Sequence, residues 1–255
     1  MVNEKYHGLG TAPSVIRELF AYGLQQAKVV GKENVFDYSL GNPSIPAPAK
    51  VNETIKNLID NTDSIQLHGY SMAPGFENVR QAIADNLNAR FNCNAKASEL
   101  FMTCGCAPAL VSVAHALTTS PEDEFIAIAP YFPEYDVFFT CAGAKLAVVP
   151  ADTVHFQIDM EALEKTINEH SVAVVINSPN NPSGVVYTEE TLKKIAELLE
   201  RKSKEYGHPI YIVADEPYRE LVYDGVKVTF IPNVYDNTIV CYSWSKSLSL
   251  PGERI

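Results

Sequence analysis

Apolar residues recur at helical spacing after Pro13 and Ser14, through Ile16, Leu19, Phe20 and Leu24, until Gly31 stops the run. That period predicts a helix. A second helix is predicted over residues 51–59 and a third over residues 76–91, the latter with Val79, Ile83 and Leu87 on one face. Further along, the texture changes. Short apolar runs at residues 100–102, 125–128, 146–149, 172–176, 210–213 and 238–241 alternate with helical patterns, among them one over residues 188–206. This alternation predicts an α/β fold in which an open, mainly parallel sheet lies between helices. Ligands of such sheets sit outside the carboxyl ends of the strands, so the residues just after each run are the candidates for chemistry. Asn42-Pro-Ser-Ile-Pro-Ala-Pro48 is the conspicuous linker-like stretch, and no internal repeat is present.

With 255 residues, 46% of them hydrophobic, the chain is long enough for one large α/β domain. The formal net charge of −11 is spread along the sequence, which argues against nucleic-acid binding, since that needs a basic patch. No run approaches the roughly 20 apolar residues of a membrane span. The opening Met-Val-Asn-Glu-Lys-Tyr-His has no charged-then-apolar signal pattern, so a cytoplasmic protein is expected. Cys93, Cys104, Cys106, Cys141 and Cys241 form no even framework, and Cys104-Gly-Cys106 has the spacing of neither a zinc knuckle nor a redox pair. Reduced thiols and no metal site are expected.

The last apolar run leads into Tyr242-Ser-Trp-Ser-Lys-Ser-Leu-Ser-Leu-Pro-Gly-Glu-Arg254. A lysine can condense with an aldehyde, while Ser243, Ser245 and the permanently charged guanidinium of Arg254 can hold a phosphate dianion. Pyridoxal 5′-phosphate on Lys246 is the chemistry this set suggests, although the same stretch also reads as an exposed loop with a solvated lysine. Asp215 follows the run 210–213 and would leave its carboxylate at a strand exit, where it can pair with a pyridinium or simply cap a helix. Tyr218, three residues on, falls near the same place. Asn177-Ser-Pro-Asn-Asn-Pro-Ser-Gly184 has turn composition, and Tyr131, Phe132 and Tyr135 read as a core aromatic cluster. Gly105-Cys-Ala-Pro-Ala-Leu110 sits between a strand and a helix running to Leu117, whose first backbone amides would form an anion site.

Six segments occur in one order: Tyr70-Ser-Met-Ala-Pro-Gly75, Gly105-Cys-Ala107, Pro130-Tyr-Phe-Pro133, Asn177 to Gly184, Ala214-Asp-Glu-Pro-Tyr218, and Ser243-Trp-Ser-Lys246 with Pro251-Gly-Glu-Arg254. In that order the chain resembles the fold-type I pyridoxal phosphate enzymes, specifically the class I/II aminotransferases of the aspartate aminotransferase kind, from about Phe36 to its last residue. The resemblance implies an N-terminal arm and small-domain segment over residues 1–45. Residues 46–255 would form the cofactor-binding large domain, with a mostly parallel, seven-stranded-type sheet in an α/β/α arrangement. It further implies that Lys246 holds the cofactor and shuttles a proton, that Asp215 pairs with the ring nitrogen, and that Tyr218 and Asn181 bond the phenolic oxygen. Phe132 would stack on the ring. Cys106, Ala107, Ser243, Ser245 and Arg254 would bind the phosphate, with Cys106 and Ala107 standing where relatives often have glycine, a hydroxyl or lysine. Tyr70 would reach the phosphate of a neighbouring subunit, which makes the expected assembly a homodimer with a shared site. Gly41, with Asn42 and Pro43, resembles the segment that closes over the substrate's α-carboxylate, and Asn181 is a substrate contact as well.

The implied reaction moves an α-amino group from an amino acid to a 2-oxo acid by a ping-pong route. Aspartate or glutamate with 2-oxoglutarate is the first substrate pair by analogy with common members. Members of the family continue well beyond the phosphate arginine into a C-terminal small domain. A chain ending at Ile255 therefore reads as truncated, with that domain missing and the large domain incomplete at its C-terminal end. A carbon–sulfur β-lyase shares all the cofactor residues, and a non-catalytic cofactor-binding or dimerisation fragment needs no more than these; the residues leave both alternatives open.

Overall fold

Gly31 ends the first long helix because its φ of 90° is a conformation that residues with a Cβ rarely adopt. That helix, α2 (Val15–Val30), follows α1 (Glu4–Thr11), whose first turn is capped by the Asn3 side chain accepting from the amides of Lys5 and Tyr6. A computed structural model describes residues 2–255 and divides into two compact units, Met1–Ser44 and Ile45–Ile255. In the first unit the apolar stripe of α2 forms as spaced, and Ile16, Leu19 and Leu24 on it are exposed.

The second unit begins with α3 (Ala49–Asn61), α4 (Ser64–His68), α5 (Glu77–Phe91) and α6 (Cys106–Leu117). Strands and helices then alternate: β1 (Glu124–Ile128), α7 (Glu134–Cys141), β2 (Lys145–Val149), α8 (Met160–Thr166), β3 (Ser171–Asn177), α9 (Glu189–Tyr206), β4 (Tyr211–Asp215), β5 (Thr238–Cys241) and α10 (Trp244–Ser247). The strands form one sheet in the order β2-β1-β3-β4-β5, with every pairing parallel. Five of the six apolar runs thus become strands.

Successive residues of a strand face opposite sides, and the core divides accordingly. Ile126, Val174, Ile176 and Ile212 pack with Leu163 of α8 and with Leu192, Ile195 and Leu199 of α9. On the other side, Phe125, Ala127, Ala173, Val175 and Val213 pack with Leu110 and Ala114 of α6 and with Tyr135 and Phe139 of α7. The helix α9 shows how the pattern specifies the packing. Leu192, Ile195, Ala196 and Leu199 are its buried stripe at helical spacing, while Glu189–Lys193 and Glu190–Lys194 pair one turn apart on the exposed face. Thr188 caps its start and Gly207, at φ 77°, ends it.

The sheet has five strands among the described residues, where a seven-stranded type was expected. Residues 100–102 account for part of the difference. They contribute to one wall of a groove of about 710 Å³ whose other residues include Thr238, Ile239 and Val240 of β5. No ladder joins the two walls, and an apolar run that reads as a strand makes only a single backbone bond to a distant segment, from Met102 to Pro74 at 3.1 Å, and joins no sheet. Among the described residues no helix is long and apolar enough to cross a membrane.

Candidate active site

The ends of β3 and β4 are in register at Asn177 and Asp215. Asn177 Nδ2 donates to the backbone oxygen of Asp215 at 2.7 Å, and Asn177 Oδ1 accepts from the Asn181 amide at 2.6 Å. This buried side chain therefore clasps two strand exits and folds the loop after β3 back over them. The loop in turn presents Asn181, whose Nδ2 donates to Tyr218 Oη at 3.3 Å. Sequence composition marked this loop as a turn; the clasp made by Asn177 was not visible there.

Asp215 is 5% exposed. Cys106 Sγ, from the start of α6, donates to its Oδ1 at 3.0 Å, and Tyr135 Oη, from α7, donates to its Oδ2. Burial pushes the Asp215 carboxyl above its usual range, and the thiol and phenol hydrogen bonds oppose that rise. Burial and the neighbouring Asp215 also push the Tyr135 phenol and the Cys106 thiol well above their ordinary values. Tyr218 is raised for the same two reasons, against the hydrogen bond from Asn181. Phe132 meets the ring of Tyr135 edge-on, with centroids 5.8 Å apart and planes at 84°. Tyr135 is the residue whose part the sequence did not reveal: it belongs to the aromatic cluster, yet its hydroxyl reaches Asp215, 80 positions away.

Lys246 lies in α10, a single turn whose start is capped by Ser243 Oγ accepting from the Ser245 amide at 3.1 Å. It is partly buried, and its amine is lowered below the usual lysine value first by burial and then by the charge of Arg254. The guanidinium of Arg254 crosses to the start of α6. A Cβ on Gly105 would stand 3.0 Å from Arg254 Nη2, so the absent side chain gives the guanidinium its room. Gly105, at φ 98°, is the N-cap of α6, and the amides of Cys106 and Ala107 follow it. An unpaired helix start and a guanidinium together make a place for an anion.

Ser243 Oγ donates to the Ile255 carbonyl at 2.6 Å and is 2.6 Å from Ser245 Oγ. Each hydroxyl has one proton, so Ser245 donates to Ser243 while Ser243 donates to Ile255. Tyr70 is fully exposed, in the segment that precedes Gly75. Gly41 lies in the first unit and Asn181 in the second.

Geometry thus brings Lys246, Arg254, Gly105 and the start of α6 together, and sets Asp215 among Cys106, Tyr135 and, through the backbone, Asn177. Residues 33–255 match the family described as aminotransferase class I and II. A probable N-acetyl-LL-diaminopimelate aminotransferase of Bacillus subtilis is 31% identical over 243 residues, covering 94% of this chain and 59% of that protein. An aspartate aminotransferase of the same organism is 34% identical over 73% of this chain and 47% of its own length. Among solved structures, an amino transferase from Eubacterium rectale superposes with a TM-score of 0.97 at 61% identity, covering 100% of this chain and 64% of that one. The chain spans less than two thirds of the length of each of these relatives.

Proposed function

The chain belongs to the class I and II aminotransferases, and from that premise we propose that it is the cofactor-binding part of a pyridoxal 5′-phosphate-dependent aminotransferase. Its reaction moves an α-amino group from an amino acid to a 2-oxo acid in two half-reactions. The observation that carries this reading is the meeting of a lysine of lowered pKa with Arg254, beside a helix start kept open by Gly105.

The residues present fit the group. Arg254 and the amides of Cys106 and Ala107 suit a phosphate, and the space a Cβ on Gly105 would take is part of that cradle. Ser243 and Ser245 would join only after their hydroxyls turn away from one another. Asp215, buried and bonded only by neutral side-chain donors on the two oxygens described, suits a protonated ring nitrogen. When bound, the group supplies an electron sink conjugated to the substrate's α-carbon.

The chain's own residues supply the rest. Lys246 Nζ loses its proton more readily than an exposed amine, which suits it both to hold the group and, once displaced by substrate, to accept the α-proton and return it at Nζ. The carboxylate of Asp215 would hold a proton on the ring nitrogen of a bound cofactor. Tyr218 Oη and Asn181 Nδ2, already bonded to each other, would orient the phenolic oxygen of a bound cofactor. Phe132 would cover one face of the ring, Asn181 would contact the substrate, and Tyr70 would serve the site of a second copy in a homodimer.

An acidic amino acid such as aspartate or glutamate is the proposed donor, supported by the similarity to an aspartate aminotransferase. The named relatives are aminotransferases, which favours transfer over β-elimination. A cytoplasmic location is part of the same proposal. The test is the absorption spectrum of the chain reconstituted with pyridoxal phosphate, beside Lys246→Ala, before and after adding L-aspartate or L-glutamate. A visible band that needs Lys246 and moves to the near ultraviolet with the amino acid is the expected result; a folded sample with no Lys246-dependent band would overturn the reading.

A further inference from the structure

Arg219 is a buried cation that the proposed reaction does not use. It is 5% exposed, and its guanidinium carbon lies 4.3 Å from the ring centroid of Tyr242, 5.2 Å from that of Phe91 and 5.5 Å from that of Phe230. Glu216 approaches it at 3.0 Å and Glu220 at 3.6 Å. Arg219 Nε and Nη1 are buried without a directed hydrogen bond, so charge attraction and the faces of the three rings hold the group. A cation enclosed in this way fixes the rings around it, and one of those rings belongs to the residue just before Ser243.

The hydroxyl of that residue, Tyr242, has two polar neighbours: Glu220 Oε1 at 3.3 Å and Ser247 Oγ at 3.1 Å. Arg90 grips both oxygens of Glu220, at 3.1 and 2.6 Å, and the Glu220 carboxyl is held below its usual range. An ionised carboxylate only accepts, so the phenol proton points to Glu220 and the Ser247 hydroxyl donates to Tyr242 Oη. The hydrogen bonds therefore run in one direction, from Ser247 through Tyr242 to Glu220, with Arg90 at the far end. Ser247 is the last residue of α10 and the neighbour of Lys246. A four-residue helix has too few internal bonds to hold its own orientation.

We infer that Tyr242, clamped against Arg219, is a positioning residue that sets the direction of the Lys246-bearing turn through its bond to Ser247. The inference rests on the reading of Lys246 as the residue that holds the cofactor. A cluster that merely stabilised the fold would alter melting without coupling Tyr242 to Ser247 in the chemistry of the lysine.

The experiment uses the whole chain with Tyr242→Phe, Ser247→Ala and both together. Capture of pyridoxal phosphate at Lys246 is followed by borohydride trapping and peptide mass spectrometry, and melting is recorded beside it. Each single variant is expected to slow capture about tenfold, in line with losing a hydrogen bond chained to a charged group. The double variant is expected to be no slower than either single, since one relay is broken once. Arg219→Met should show the same slowing with a larger loss of stability; if it does not fold, Tyr242→Phe, which keeps the ring on the guanidinium, decides. Capture at the wild-type rate in both single variants, or a double variant whose loss is the product of the two, overturns the inference alone. A folded wild-type chain that captures nothing at Lys246 overturns the proposed function, and this inference with it.

Discussion

The Cys106 thiol donates to Asp215 Oδ1 at 3.0 Å across 109 residues of sequence, and Tyr135 fills the other oxygen. These donors are what keep a buried carboxylate from rising further in pKa. The folded-state pKa of Asp215 lies above its unfolded value, so the group costs stability as pH climbs from the unfolded pKa through the folded one. Tyr135→Phe raises the folded pKa again. It should lower stability near neutral pH by about 1–3 kcal/mol, with the deficit shrinking in acid as Asp215 becomes protonated. Cys106→Ala should act in the same direction but less, because a thiol is a weak donor, and Cys106→Ser should restore the bond. Urea unfolding at neutral and acid pH measures this; equal deficits at both would show that only packing was lost.

Lys246 is lowered by burial first and by Arg254 second. Removing the charge in Arg254→Gln should therefore shift the pH midpoint of carbonyl capture at Lys246 upward without returning it fully to that of an exposed lysine. Affinity for pyridoxal phosphate should fall by about tenfold or more, whereas capture of pyridoxal, which has no phosphate, should change only through the amine. Parallel titrations with the two aldehydes separate these effects, and an equal loss for both would count against a phosphate contact.

Glu216 is 2% exposed and its carboxyl is pushed up to about 7, chiefly by burial and with Arg219 opposing. The folded chain then holds this proton more tightly than the unfolded one, so stability should decline as pH rises from the ordinary carboxylate range through neutrality. Glu216→Gln removes that decline. The variant's melting point should therefore change less than that of the wild type between acid and mild alkali, whatever the loss of the contact with Arg219 costs at every pH. Melting curves across pH that run parallel for the two proteins would contradict the assignment.

Asn177 and Asn181 can be separated by their costs. Asn177→Ala cuts the clasp between the ends of β3 and β4 and leaves the Asn181 amide without its acceptor, a loss of about 1–3 kcal/mol. Asn181→Ala should cost little stability but alter the pH dependence of the visible band of reconstituted protein, because it removes the donor to Tyr218. Chemical denaturation and spectral titration of both variants give the comparison.

The sheet was legible because runs such as 125–128 and 172–176 are apolar enough to be buried on both faces, a requirement of strands inside parallel sheets. The amphipathic α9 was legible for the complementary reason. Residues 100–102 were not, since an apolar run becomes a strand only when a continuous ladder forms, and this one makes a single backbone bond to a distant segment, from Met102 to Pro74. The short helices α7, α8 and α10 also left little periodic signal. Within the site, Lys246, Asp215 and Tyr218 could be singled out as candidates by their place after apolar runs, whereas Asn181 rested on the resemblance alone. The hydroxyl of Tyr135 and the enclosure of Arg219 could not, because their partners are distant in sequence. Ser243 and Ser245 have the right chemistry for an anion, but their bonds to each other and to Ile255 depend on how the turn closes.

The strand order β2-β1-β3-β4-β5 places the earliest strand inside the sheet and the strand before Lys246 at its margin. Five strands precede the turn that bears the lysine, and the contact from Cys106 to Asp215 spans 109 residues of sequence. Such non-local closures make folding slow relative to that of a helical bundle of equal stability. A molecule that bridges α6, the end of β4 and α10 would bind the finished sheet and not its precursors. At a free concentration 100 times its Kd, it would add about 2.7 kcal/mol to the free energy of unfolding. The cofactor would then serve this chain as a folding ligand, drawing completed molecules out of the unfolded pool whether or not any amino group is transferred.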